Sequence, residues 1–290
     1  MNREYKEKFP EFCSDFKGHY DLVLGDDADA ILVSNFLEMQ CWDSTRYFYD
    51  FNMLYIEKDH EPKNPIVGCD IDLIMNNGKC WGNHVTAISK ADKINTNSAN
   101  LNNIEGITSQ NYTSKYAGST FATVLSYYDY DLSKLSEEAK MLILCVDSHF
   151  LGFYSDRFHD TQKKYLIEIL NYPELYDTIK GHTKEEFEQL QAKYNLKSGK
   201  IWIGEDCYLQ TNIDLAGISE VLQMSITLPK QQFEPFFTEK EDESYITLKT
   251  RYAGTQFINS REQIQENIFS YSQTYKNSAS FTYLIKVDPK

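Results

Sequence analysis

No two cysteines in this chain stand in a Cys-x-x-Cys pair, and the six present (Cys13, Cys41, Cys69, Cys80, Cys145 and Cys207) are scattered along it. A structural zinc site therefore has little support, and 290 residues can bury a core without disulfide staples. A reducing compartment is expected. Long apolar runs are missing too. The longest, residues 141–146 (MLILCV), is far too short to span a bilayer. The opening MNREYKEKFPEF lacks the apolar heart of a secretory leader. The expectation is a cytoplasmic protein with no membrane contact. Positive charge is scarce, with 29 Lys and Arg against 43 Asp and Glu and a net charge of −14. That field works against capture of long duplex DNA. It suits a small anionic ligand held by a metal or a few cations, or docking onto a basic protein partner.

What is present is a globular composition, 41% hydrophobic and 14% aromatic. The most informative stretch is residues 21–34, DLVLGDDADAILVS. A short apolar run ends at Gly25 and gives way to Asp26, Asp27 and Asp29, after which Ile31, Leu32, Phe36 and Met39 recur at helical spacing. This predicts a buried strand, a carboxylate-bearing turn and a helix. One Asp suffices to cap a helix. Three within four residues imply either a solvated cap cluster or a bound cation.

Further strands are expected at residues 47–51 (YFYDF) and 66–70 (IVGCD), the latter ending in Asp70 with Asp72 close behind. An Asn-Gly turn at 77–78 leads to Gly82-Asn83-His84. Residues 92–114, rich in Asn, Ser and Thr, read as a long polar working loop, and 116–128 restore a helical pattern. A short capped helix is expected over 133–140, then a strand over 141–146 ending at Asp147. Strands alternating with helices indicate an α/β domain with a mainly parallel sheet and flanking helices, over residues 1–155. Such sheets bind ligands at the carboxyl ends of their strands, where Asp27, Asp29, Asp70 and Asp147 all fall.

Residues 156–290 read as a helical linker and a smaller α+β domain. The helical part, 160–195, is broken near Pro173 and Gly181. Strands follow at 200–203, 222–228, 245–250 and 281–287, with a helix around 260–275 and a charged loop at 239–244 (EKEDES). The echo between KYAGST (115–120) and RYAGTQ (251–256) is too short to make a repeat.

The order of these acidic motifs resembles the DHH phosphoesterase family over residues 20–155. Asp27-Ala28-Asp29-Ala30-Ile31 resembles its first motif and Asp70 its second. Gly82-Asn83-His84 resembles a degenerate D-H-H, and Asp147 in LILCVDSHF the last motif. The resemblance implies one or two Mn²⁺ or Mg²⁺ ions held by Asp27, Asp29, Asp70, His84 and Asp147, with Asp70 bridging. Asp70 and His84 would be catalytic and Asn83 would contact the substrate, a nucleotide or short oligonucleotide. The chain departs from the family pattern at Gly25, where a His or Asp ligand is usual, and at the lost Asp and first His of D-H-H. Asp26 or Asp72 could substitute.

Blander readings stand beside these. His84 could be an ordinary loop histidine, Asp147 could cap a turn, and His149 could be a supporting residue or simply exposed. Arg46, Lys79, Lys115 and Arg157 are phosphate-contact candidates or merely solvated charges. Two functions follow: a metal-dependent phosphodiesterase, or a catalytically impaired relative whose acidic, Tyr-rich surface makes it an inhibitor or adaptor for a protein partner.

Overall fold

β1 (Asp21–Leu24) is a run of four buried residues with parallel neighbours on both sides. The structure, a computed structural model, describes the whole chain except residues 16–17, 41, 75–77, 237, 240–244 and 288–290. Asn77 of the expected turn, Cys41, and all of the 239–244 loop but Glu239 lie outside the described residues.

β2 (Thr45–Tyr49), β3 (Leu54–Glu57), β4 (Ile66–Cys69), β5 (Lys79–Trp81) and β6 (Ser98–Ala99) join β1 in the spatial order β6-β5-β4-β1-β2-β3. All run parallel to β1 except β3. β7 (Ile201–Ile203) and β8 (Leu209–Thr211) form a separate antiparallel ribbon. β9 (Phe233–Pro235) pairs with β3 and makes the main sheet seven-stranded. A four-stranded antiparallel sheet holds β10 (Thr238–Glu239), β11 (Tyr245–Gly254), β12 (Ile268–Tyr275) and β13 (Ser278–Val287). The architecture is α/β, with a mostly parallel sheet and a smaller antiparallel one.

From β1 the chain moves to β2 and β3 on one side, then returns to β4, β5 and β6 on the other. That reversal opens a crevice beyond the carboxyl ends of β1 and β4. The two strands run in register from Asp21 beside Ile66 to Leu24 beside Cys69. The residues that follow each, Gly25–Asp29 and Asp70, therefore emerge side by side.

The helices are α1 (Arg3–Lys6), α2 (Ala28–Met39), α3 (Leu101–Ile104), α4 (Thr120–Tyr127), α5 (Glu137–Cys145), α6 (His159–Lys163), α7 (Pro173–Gly181), α8 (Lys184–Lys193) and α9 (Leu215–Leu222). α2 is buried from Ala28 to Leu37, packed against β1, β4 and α4. Among the described residues, no helix is long and apolar enough to cross a membrane. The main hydrophobic cluster draws on residues from both sides of residue 155, including Leu22, Phe121, Leu142, Leu166, Phe187 and Phe233. A second cluster, with Tyr271, Phe281 and Tyr283, belongs to the antiparallel sheet.

Four expectations are corrected. Residues 141–146 are not a strand. Residues 141–145 complete α5, with Val146 as its C-cap, and Ser136 caps the other end by accepting from Ala139 N–H at 3.2 Å. The run is apolar because α5 is enclosed by α4, α7, α8 and α9, and a helix buried all round shows no polar stripe. Residues 222–228 are not a strand either. Leu222 ends α9, Gln223 is left-handed (φ 54°), and Asn35 takes over the pairing role by bonding both Thr227 N–H (3.0 Å) and Thr227 C=O (3.1 Å). The second half of the helix expected around 260–275 is β12, preceded by a single 3₁₀ turn at Arg261–Gln263. Its IFSYSQTY favours a pleated surface. Residues 92–114 contain β6, α3 and a 3₁₀ segment at Ser109–Ser114 rather than a structureless loop. Asparagine side chains organise it, with Asn100 capping α3 and Asn102 Nδ2 donating to Asn83 C=O (2.6 Å) and Tyr116 C=O (3.0 Å).

Candidate metal centre

Asp27 is the N-cap of α2, its Oδ1 accepting from Ala30 N–H at 3.1 Å. Two residues on, Asp29 is only 1% exposed. Its oxygens accept from the backbone N–H groups of Thr120 (2.6 Å) and Phe121 (2.7 Å), the first residues of α4. Those amides have no partner within their own helix and favour negative charge. Asp70 follows β4 in a left-handed conformation (φ 58°) and accepts from Thr120 Oγ1 at 2.5 Å. Thr120 thus ties Asp29 to Asp70.

Asp147 arrives from a helix end, not from the strand expected. Beyond α5 the chain leaves the helical path, and Asp147 and Ser148 both take positive φ (52° and 54°). Asp is among the few L-residues that tolerate this region. One oxygen each from Asp29, Asp70 and Asp147 lies within 4.8 Å of the others. Asp29 and Asp70 are buried, whereas Asp147 is exposed, so the group opens to solvent on one side.

Burial raises the Asp29 carboxyl well above its ordinary range, and the Asp147 and Asp27 charges add to that. Burial does the same to Asp70, helped by Asp29, while the Thr120 hydroxyl pulls part of the way back. Asp27 is raised by burial and by Asp147. Carboxylates crowded in this way call for a counter-charge.

An independent feature points the same way. Asn83 is 6% exposed, and its Nδ2 donates to Asp147 Oδ2 (2.5 Å) and Gly118 C=O (3.0 Å). Its Oδ1 is buried with no hydrogen-bond partner. This is a hard oxygen held on the same amide that touches Asp147, the ligand type Mg²⁺ and Mn²⁺ accept. The residues present fit such an ion.

His84 stands outside the three-carboxylate group, half-buried beside it. Its backbone N–H and its Nδ1 both meet Asp72 Oδ2 at 3.1 Å. Asn100 Nδ2 then bridges Asp72 Oδ1 (2.7 Å) and His84 C=O (2.8 Å). Burial disfavours the charged imidazole, but the Asp72 hydrogen bond and charge outweigh it and raise the His84 pKa. A carboxylate on Nδ1 orients a histidine so that Nε2 does the work. Gly82 is required here, because a Cβ would strike the Asp72 carboxylate. Asp72 is thus committed to His84. Asp26 is committed to Lys200, whose Nζ donates at 2.8 Å, and burial nonetheless pushes the Asp26 carboxyl up to about 6.

A cleft of about 200 Å³ adjoins the carboxylates, lined among others by Asp27, Asp29, Asp147, Gln191, Lys197 and Lys200. Both lysines are exposed and come from the segment before β7. No local pattern marks them, since only the tertiary fold brings that segment to the crevice. Thr120 was missed for the same reason. Of the phosphate-contact candidates, Lys115 lies near the Asp147 charge, and the other three are engaged elsewhere. Arg46 pairs with Glu57, and Lys79 lies over the Tyr20 ring at 5.4 Å. Arg157 lies over Phe158 at 5.5 Å and Lys115 over Tyr112 at 4.8 Å. Burial lowers the Lys115 ammonium pKa, while the nearby Asp147 charge partly restores it.

His149 is fully buried, not exposed, and burial pushes its imidazole down to about 3. Both ring nitrogens lack partners. The ring sits edge-on to Tyr116 (5.4 Å between centroids) and fills the space where a Cβ on Gly118 would be. It supports the turn that starts α4. No family model, curated protein or solved structure matches the chain.

Proposed function

We propose that the protein is a divalent-metal-dependent phosphodiesterase of DHH type, acting on a nucleotide or short oligonucleotide. The observation that carries this reading is the convergence of Asp29, Asp70 and Asp147 on one open-sided point, with Asn83, whose Oδ1 has no partner, bonded to Asp147 through its Nδ2. These four residues would hold Mn²⁺ or Mg²⁺, with Asp27 placed for a second ion. When bound, such an ion polarises the phosphoryl group and acidifies water at neutral pH. Lys197, on the cleft wall, neutralises the phosphate oxygens of the substrate, and Lys200, paired with Asp26 Oδ1, adds positive charge to the same wall. His84, held at Nδ1 by Asp72, donates a proton from Nε2 to the leaving ester oxygen as the P–O bond breaks.

A second reading is an adaptor or inhibitor that has lost the chemistry and binds a basic protein partner. It is favoured by Asp29, both of whose oxygens already accept from α4 amides, as in a purely structural carboxylate.

The test is Mn²⁺-dependent hydrolysis of a dinucleotide. The phosphodiesterase reading expects Asp70→Asn to reduce turnover roughly a hundredfold or more and His84→Ala to remove most of it, losses of about 3 kcal/mol in transition-state stabilisation. Long duplex DNA should be a poor substrate. No turnover on any phosphodiester, with a protein complex indifferent to His84→Ala but weakened by charge reversal at Glu239, would favour the adaptor. Turnover that persists in both variants would remove this site from consideration.

A further inference from the structure

The β7–β8 ribbon is moored to the acidic turn. Ile201 N–H donates to Asp26 C=O at 2.8 Å, and Lys200, just before β7, reaches Asp26 Oδ1 at 2.8 Å while lining the cleft. Side chains alternate along a strand. Ile201 and Leu209 are buried, whereas Lys200, Trp202, Tyr208 and Gln210 are exposed, so these four share the outward face. Trp202 pairs with Gln210, and Tyr208, two residues before Gln210, lies diagonal to Trp202. Such diagonal neighbours are about 7–8 Å apart, within reach of aromatic side chains. Trp202 is 41% exposed and Tyr208 40%, while Trp42 and Trp81 are buried.

We propose that this outward face is a stacking platform for the unpaired bases of a short single strand whose phosphate lies in the lysine-flanked cleft. The identity of the cleft's occupant rests on the phosphodiesterase reading, but stacking does not require that hydrolysis occur. Lys200 and Trp202 are about 7 Å apart along the strand, a separation one nucleotide spans from phosphate to base. Every base has a flat π-face, so two half-exposed rings accept any sequence. A duplex hides those faces, and the net charge of −14 repels its dense phosphates. Charge and platform therefore select the same ligand, a short unpaired one.

The experiment titrates a dinucleotide, and an abasic phosphodiester of the same length, into the full chain with Mg²⁺, reading tryptophan fluorescence and hydrolysis in the same samples. With Trp42 and Trp81 buried, Trp202 should give most of the ligand-dependent signal. The platform predicts saturable quenching by the dinucleotide that is lost in Trp202→Leu. It also predicts a KM raised roughly tenfold or more in that variant, with kcat kept, and rescue in Trp202→Phe. The abasic compound should be handled alike by all three proteins. Quenching without hydrolysis supports the platform and removes the catalytic reading. Hydrolysis with an unchanged KM in Trp202→Leu overturns the platform and leaves the catalytic reading standing. Neither quenching nor hydrolysis overturns both.

Discussion

Asp70 carries opposite consequences with and without a cation. Its carboxyl is raised by burial and by Asp29. Metal-free, the folded protein therefore holds that proton more tightly than the unfolded chain does. The destabilising effect is absent below the unfolded value of about 3.9 and grows as pH rises from there towards the folded value. Asp70→Asn keeps an oxygen for the Thr120 hydroxyl and removes the charge. In EDTA at pH 8 it should be more stable than the parent by on the order of 1 kcal/mol, roughly 2–4 °C in Tm. The gain should shrink towards pH 4. Mn²⁺ should raise the Tm of the parent but not of the variant, by mass action on the folded state. Differential scanning fluorimetry at several pH values checks this, and an Asp70→Asn protein less stable in EDTA at pH 8 would contradict it. Asp27, Asp29 and Asp70 were legible in the sequence because a helix cap or the end of an apolar run marks them, whereas Asp147 was placed through an expected strand that is in fact the end of a helix. Thr120, Lys197 and Lys200 were not legible, because what they touch is set by segments far away in the chain.

Among the elements, α5 shows where local reading runs out. Six consecutive apolar residues fit a buried strand and a buried helix equally well. Ser136 with Glu137 and Glu138 settles the matter by starting a helix that the apolar run continues. Ser136→Ala should destabilise the protein by about 1 kcal/mol. Because Asp147 follows α5 directly, it should also weaken Mn²⁺ stabilisation. Urea denaturation with and without Mn²⁺ measures both, and a variant as stable as the parent would show that tertiary packing alone holds α5. β1 and α2 were readable for the converse reason. Asp27 caps the helix, and the switch from the three-residue apolar run Leu22–Leu24 to helical spacing takes place within the turn. Around β12 the helix expectation failed because IFSYSQTY favours a pleated surface and pairs with β13.

At the scale of the whole molecule, the reversal of strand order at β1 brings four separate stretches to one crevice. The β1–α2 turn supplies Asp27 and Asp29, the end of β4 supplies Asp70, the end of α5 supplies Asp147, and the segment before β7 supplies Lys197 and Lys200. The parallel sheet and its acidic edge could be anticipated from alternating strands and helices. The ribbon's mooring to Asp26 could not, since a three-residue strand far along the chain carries no sign of where it docks. The claim on which function depends is that this crevice binds a divalent cation. Crystals soaked in Mn²⁺ and measured at the manganese absorption edge test it most directly. The predicted result is an anomalous peak about 2.0–2.3 Å from oxygens of Asp29, Asp70 and Asp147, lost in Asp70→Asn crystals. A fully soaked crystal with no anomalous density among those three carboxylates would contradict it.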